Sequence, residues 1–236
     1  ITFDPDGPAN PDGSTEVTLS GGQTVDDLDF GYTAGTGSIG DNVWLDLDGD
    51  GIRDIGEPGI EGATVTLTYL GPDGVLGGGD DEVFVTTGDA GGHYLFTDLP
   101  AGNFVVTISN LPAGLTPTND PDGGADRTSA VTLTPGERDL DQDFGFVGSA
   151  AVGDTIFIDT NGNGVQDGLE PGVAGVTVTV TSAGVDGVLG TADDIVVTAI
   201  TNSLGKSSVV GLPPGATTVS YDPAGLPNGD LTFKPV

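Results

Sequence analysis

The chain has 236 residues, including 42 Gly and 16 Pro, with one Trp and no Cys or Met. Five Lys and Arg face 36 Asp and Glu, a formal charge of −31. This composition excludes a disulfide framework and argues against nucleic-acid binding, whose phosphate contacts need Lys and Arg; an anionic membrane surface would also repel the chain. Thirty of the acids are Asp and six are Glu, so the charge sits on short side chains that suit Asx-turns and cation chelation. Thr, Val, Leu and Ile dominate the apolar stretches, and Gly or Pro interrupts almost every long window. Strands are therefore expected and helices are not. No stretch is long and apolar enough to span a membrane. The length suits about two domains. The chain starts at Ile1 without a visible signal segment and is read as processed or partial.

In chain order, residues 1–36 carry two acidic pairs, Asp4-Pro-Asp6 and Asp27-Leu-Asp29, the second followed by Phe30-Gly-Tyr32. Turn residues then bound seven expected strands near Ser38–Leu45, Ala63–Leu70, Glu82–Thr87, Gly92–Thr97, Asn103–Ser109, Ser129–Thr134 and Asp141–Val147. Thr64-Val-Thr-Leu-Thr68 alternates cleanly, with Val and Leu inward and Thr outward. From residue 149 the pattern starts again. Gly40-Asp41-Asn-Val-Trp44 matches Gly153-Asp154-Thr-Ile-Phe157 at an offset of 113 residues, and Asp73-Gly-Val-Leu-Gly77 matches Asp186-Gly-Val-Leu-Gly190 at the same offset. Asp27-Leu-Asp29-Phe30 matches Asp141-Gln-Asp143-Phe144. The expected organisation is a C-terminal part of a preceding repeat in 1–36, a complete repeat in 37–148 and the N-terminal part of a following repeat in 149–236. Short strands at this spacing predict tandem all-β, immunoglobulin-like sandwiches.

Two acidic loops have the spacing of an EF-hand calcium loop. Oxygen side chains fall at positions 1, 3, 5, 9 and 12, with Gly at 6 and a main-chain carbonyl expected at 7. The first set is Asp46, Asp48, Asp50, Ile52, Asp54 and Glu57; the second is Asp159, Asn161, Asn163, Val165, Asp167 and Glu170. Calcium is hard and takes six to eight oxygens, and a tight turn with alternate residues inward supplies them. The competing reading is a solvated acidic turn, and recurrence at equivalent places weighs against it. Pro58-Gly59 and Pro171-Gly172 follow the loops, and Thr/Val alternation follows those. The loops therefore connect strands rather than the helices of a calcium sensor.

Further candidate ligands are Asp73, Asp80 and Asp81, repeated as Asp186, Asp193 and Asp194. A third set would join Asp4 and Asp6 to Asp27 and Asp29, and Asp120 and Asp122 to Asp141 and Asp143. Acidic hairpin turns and independent solvated turns are the respective alternatives. Up to about three calcium ions per domain are expected. The lone His93 is read as a surface residue, because zinc needs more nitrogen or sulfur ligands.

These residues resemble the SdrD-like B-type repeats of serine-aspartate surface proteins, which are related to Cna B-type domains. The resemblance is carried by Gly40-Asp41-Asn-Val-Trp44, the Asp46–Glu57 loop, Pro58-Gly-Ile-x-Gly62-Ala-Thr-Val, Tyr94-x-Phe96-x-x-Leu99-x-x-Gly102 and Asp143-Phe-Gly-Phe146. It implies Cna B-type β-sandwiches with calcium-binding loops in extracellular stalks of bacterial adhesins. Cna-type domains often carry a Lys–Asn isopeptide bond, yet residues 37–148 contain no Lys. Calcium is then the visible staple.

The expected function is structural, as a calcium-stabilised module of a bacterial cell-surface stalk or a secreted, pilus-like filament. Residues 1–36 of one copy can complete residues 149–236 of its neighbour, giving head-to-tail polymerisation by strand complementation. The same contacts can instead join adjacent repeats of a longer chain. An adhesin region that binds a ligand is the alternative function. An enzyme is not expected, since one His allows no nucleophile–His system and the carboxylates suit metal better.

Overall fold

The computed structural model describes residues 14–30, 35–223 and 226, and none of these forms an α-helix. Residues 14–30 precede the first strand and are mostly exposed. The first unit contains nine strands: β1 (Gly37–Leu45), β2 (Thr64–Tyr69), β3 (Glu82–Thr87), β4 (His93–Leu99), β5 (Gly102–Ser109), β6 (Thr116–Asn119), β7 (Thr128–Leu133), β8 (Arg138–Asp139) and β9 (Phe144–Val147). One sheet runs β3-β2-β5-β7 and is antiparallel throughout. The other runs β4-β1-β9-β6, with β8 also beside β1. In this second sheet β9 pairs parallel to β1 through Val43 with Phe144, Trp44 with Gly145 and Leu45 with Phe146.

The binary pattern explains the layers. In β2, Val65 and Leu67 are fully buried between Thr residues that point outward. Phe104, Phe144 and Phe146 fill the space between the sheets, whereas Trp44, one residue out of step with the inward Val43 and Leu45, is buried on the opposite face of its sheet against Gly145. Gly145 has a specific role there: a Cβ at this position would lie 2.6 Å from the Trp44 ring, so only Gly lets the indole pack against β9. All seven expected strands are present. β6 and β8 were not expected. β6 contains Pro117 at a break in register, and β8 has two residues, so neither carries an alternation that sequence can display.

The second unit contains β10 (Ala150–Thr155), β11 (Thr177–Ser182), β12 (Ile195–Ile200), β13 (Lys206–Leu212) and β14 (Thr217–Tyr221). β10 pairs with β13, and β12-β11-β14 forms the facing sheet. The register repeats that of the first unit: Gly40 faces Leu95, and Gly153 faces Ser208. Among the described residues, nothing corresponds to β6, β7, β8 or β9. An open apolar cleft of about 320 Å³ lies between the two sheets, lined by Val152, Ile156, Val178, Val180, Val209 and Tyr221. Val106 of the first unit is fully buried, whereas Val219 at the matching place is 54% exposed.

The units meet end to end. A Cβ on Gly211, whose φ is +71°, would fall 2.2 Å from the Leu47 carbonyl oxygen. One on Gly62 would fall 2.9 Å from Val185. Leu47 belongs to the first acidic loop, so that loop sits at the joint.

Candidate metal centres

The first loop is organised by its first and last residues. Asp46 is fully buried and takes Gly49 N–H on Oδ1 at 2.7 Å and Gly51 N–H on Oδ2 at 2.8 Å. Gly49 and Gly51 adopt φ of +77° and +79°, which a side chain would strain. Asp50 N–H donates to Asp48 Oδ1 at 3.2 Å, and Ile52 N–H donates to Asp50 Oδ1 at 2.7 Å. Glu57 closes the loop, accepting Leu47 N–H on Oε1 at 2.7 Å and Asp54 N–H on Oε2 at 3.0 Å.

This turn brings one carboxylate oxygen each from Asp46, Asp48 and Asp50 within 4.8 Å of one another. Oxygens bound to one calcium at 2.3–2.6 Å have spacings of this size, so the residues fit the ion. Burial raises the Asp46 pKa, but the Thr118 hydroxyl and the N–H groups of Gly51, Gly49 and Asp50 outweigh it and hold the carboxyl below its ordinary value. The Thr118 hydroxyl of β6 lies buried beside this carboxylate. Thr118 has no sequence signal, because its strand is short and carries Pro117.

The second loop repeats the scaffold. Asp159 accepts Gly162 N–H at 2.6 Å and Gly164 N–H at 2.8 Å, and Glu170 accepts Thr160 N–H at 2.7 Å and Asp167 N–H at 3.1 Å. The bond from Asp167 N–H is the chief cause of a lowered Glu170 pKa. Asn161 and Asn163 turn their amide N–H groups onto Asp167 Oδ2 at 2.7 and 3.0 Å. The ligand positions carry two fewer acids than those of the first loop. Asp159 is partly exposed where Asp46 is sealed.

The Asp73 and Asp186 hairpins also match each other. Asp80 Oδ2 accepts Asp73 N–H at 3.3 Å, and Asp81 Oδ2 accepts Gly77 N–H at 2.7 Å. Asp193 and Asp194 do the same for Asp186 and Gly190, at 3.0 and 2.7 Å. Asp81 Oδ1 and Asp194 Oδ1 are both buried without a partner. Among the described residues, only the Asp46, Asp48 and Asp50 group gathers three acidic ligand atoms within 4.8 Å.

In the third set of the first unit, pairing of β6 with β9 brings the two segments together, with Asn119 Nδ2 donating to the Asp143 carbonyl at 3.0 Å. Asp120 is spent on its own turn, accepting Gly123, Gly124 and Asp126 N–H at 2.8, 3.0 and 2.9 Å. Asp122 accepts Ala130 N–H at 3.0 Å, which lowers its pKa. Asp143 instead sits by β1, where Oδ1 accepts Asn42 N–H at 3.1 Å. Burial raises the Asp143 pKa, and the neighbouring charge of Asp41 adds to the rise. Asp141, Asp27 and Asp29 are exposed; Asp4 and Asp6 lie outside the described residues.

The family model described as "SdrD B-like domain" matches residues 37–146 and again 150–230. The chain is 34% identical over 229 residues to the serine-aspartate repeat-containing protein E of Staphylococcus aureus (strain Newman), covering 94% of this chain and 18% of the relative. It is also 34% identical to the bone sialoprotein-binding protein of S. aureus (strain MRSA252), covering 94% of this chain and 19% of that protein. The chain thus spans about a fifth of the length of these curated relatives. The shaft pilin spaA from Lactobacillus rhamnosus GG aligns with a TM-score of 0.36 at 12% identity, over 84% of this chain and 90% of that one. A family match over most of the chain, falling on both units, leads to one conclusion: the chain belongs to the SdrD B-like domain family.

Proposed function

We propose that this chain is a calcium-stabilised structural module of an extracellular bacterial stalk or filament. The observation that carries the reading is the Asp46, Asp48 and Asp50 group on a fully buried first ligand, within a loop that joins strands. Family membership supports a surface-protein repeat. With a formal charge of −31, and one acid–base contact (His93 with Asp89) among the described residues, acidic repulsion opposes compaction. Calcium in the loops offsets that repulsion, so part of its binding free energy becomes folding free energy. Limited proteolysis tests this. Chelation is expected to convert a resistant chain into a rapidly cut one, and calcium, more than magnesium, restores resistance. An unchanged cleavage rate and melting temperature after thorough chelation sink the reading.

The open cleft of the second unit favours a further step, head-to-tail assembly. Its place in the first unit is filled by a strand of sequence Asp143-Phe-Gly-Phe146, and residues 29–32 repeat that signature as Asp29-Phe-Gly-Tyr32. A second copy supplies this strand in trans. Sedimentation is expected to give a concentration-dependent series of oligomers in calcium, and Phe30→Ser collapses the series to monomer. A monomer at every concentration rules this step out and leaves the calcium module standing.

A further inference from the structure

We propose that the second-unit cleft captures an extended strand of sequence Asp-Xaa-Asp-Phe-Gly-aromatic, and that this capture and metal binding at the Asp159–Glu170 loop strengthen each other. The proposal rests on the calcium reading, and on head-to-tail assembly only for the source of the strand.

The first unit shows what such a strand does. Phe144 and Phe146 of β9 are fully buried, and β9 lies parallel to β1. The same strand roofs the metal loop: Asp46 N–H donates to the Phe146 carbonyl at 2.8 Å. β9 also holds β6, whose Thr118 carbonyl lies 3.3 Å from where a Gly51 Cβ would stand. Filling the cleft and sealing Asp46 are therefore one structural event.

In the second unit, Ile156, Phe157 and Ile158 occupy the places of Val43, Trp44 and Leu45, and all three are partly exposed. Asp159 at the head of the loop is partly exposed too. The cleft beside them is apolar, as the two aromatic side chains of the signature require.

Charge identifies the strand further. In the first unit, Asp143 accepts Asn42 N–H, and Asn42 faces His93 across the β1–β4 pair. In the second unit the corresponding pair is Thr155 with Lys206. Lys206 thus stands where the second Asp of an incoming strand arrives, with Asp154 in the place of Asp41. By the register of the first unit, the aromatic end of such a strand reaches Asp159, so metal in the loop offsets acidic charge that opposes the incoming strand, and the strand in turn shields the loop from water. Linkage requires each partner to tighten the other by the same factor.

The test uses the full-length Phe30→Ser chain, so that its own signature does not compete, and a synthetic peptide of residues 139–148. Peptide binding is read by fluorescence anisotropy, and calcium binding at each loop by the amide signals of Ile52 and Val165. The peptide is expected to bind about tenfold more tightly in calcium than in chelator. The calcium midpoint at Val165 falls by the same factor with peptide, while that at Ile52 stays put. Lys206→Glu, or a peptide with both Phe144→Ser and Phe146→Ser, abolishes binding. Equal peptide affinity with and without calcium, together with an unmoved Val165 midpoint, overturns the coupling but leaves strand capture intact. Absence of peptide binding overturns both. A Val165 signal that never responds to calcium overturns the coupling and the calcium assignment of that loop, while Ile52 reports on the first loop independently.

Discussion

The two acidic loops share a backbone plan but not their surroundings. Asp46 and Asp159 each draw in two Gly N–H groups, and Glu57 and Glu170 each tie the loop ends. Yet Asp46 is roofed by β6 and β9, and among the described residues no strand does the same for Asp159. The twelve residues are sufficient for the turn. Sealing that turn takes strands that begin 70 and 98 residues after Asp46 along the chain.

The largest expected difference between the units comes from a matched pair of truncations. Val106→Ala removes a fully buried side chain and is expected to cost about 2 kcal/mol in denaturant unfolding. Val219→Ala, at the matching but exposed place, costs less than about 0.5 kcal/mol while the cleft is open. Equal costs would mean that the cleft is already filled.

Next in size is the loop charge. Asn161→Asp together with Asn163→Asp gives the second loop the acid count of the first, and calorimetry is expected to show roughly tenfold tighter calcium binding there. Asp48→Asn with Asp50→Asn moves the first loop the other way. If neither pair changes affinity, side-chain charge at positions 3 and 5 does not set the difference between the loops.

The smallest expected effect is a pH dependence with opposite signs at two carboxylates. The lowered pKa of Asp46 supplies stability above the usual Asp range, which is lost as pH falls through the folded value. The raised pKa of Asp143 works in reverse, with its contribution complete at low pH and lost as pH rises. In chelator at neutral pH, Asp143→Asn is expected to raise the melting temperature, and the gain vanishes in acid, where Asp143 is neutral anyway. If calcium turns the gain into a loss, Asp143 is a ligand after all.

Much of this was legible in the residues. Turn residues and Thr/Val alternation located seven of the nine strands of the first unit, and the spacing of Asp46 to Glu57 located the turn that gathers three carboxylates. Elements without a periodic pattern were hidden: Thr116-Pro117-Thr118-Asn119 is too short and carries a Pro, and Arg138–Asp139 is only two residues. The surroundings of Asp120 were hidden for a local reason. Asp120 is satisfied within its own turn by three N–H groups, a competition that sequence spacing does not weigh. The joint was invisible for the opposite reason, since Gly211 acquires its meaning only when Leu47 of the other unit arrives against it.

The parallel pairing of β1 with β9 has a mechanical consequence. β1 opens the unit and β9 closes it, so a pull on the two chain ends draws these neighbours in opposite directions along their length. Their inter-strand hydrogen bonds are then loaded together in shear, not peeled one at a time. The unit therefore resists tension at its first and last strands.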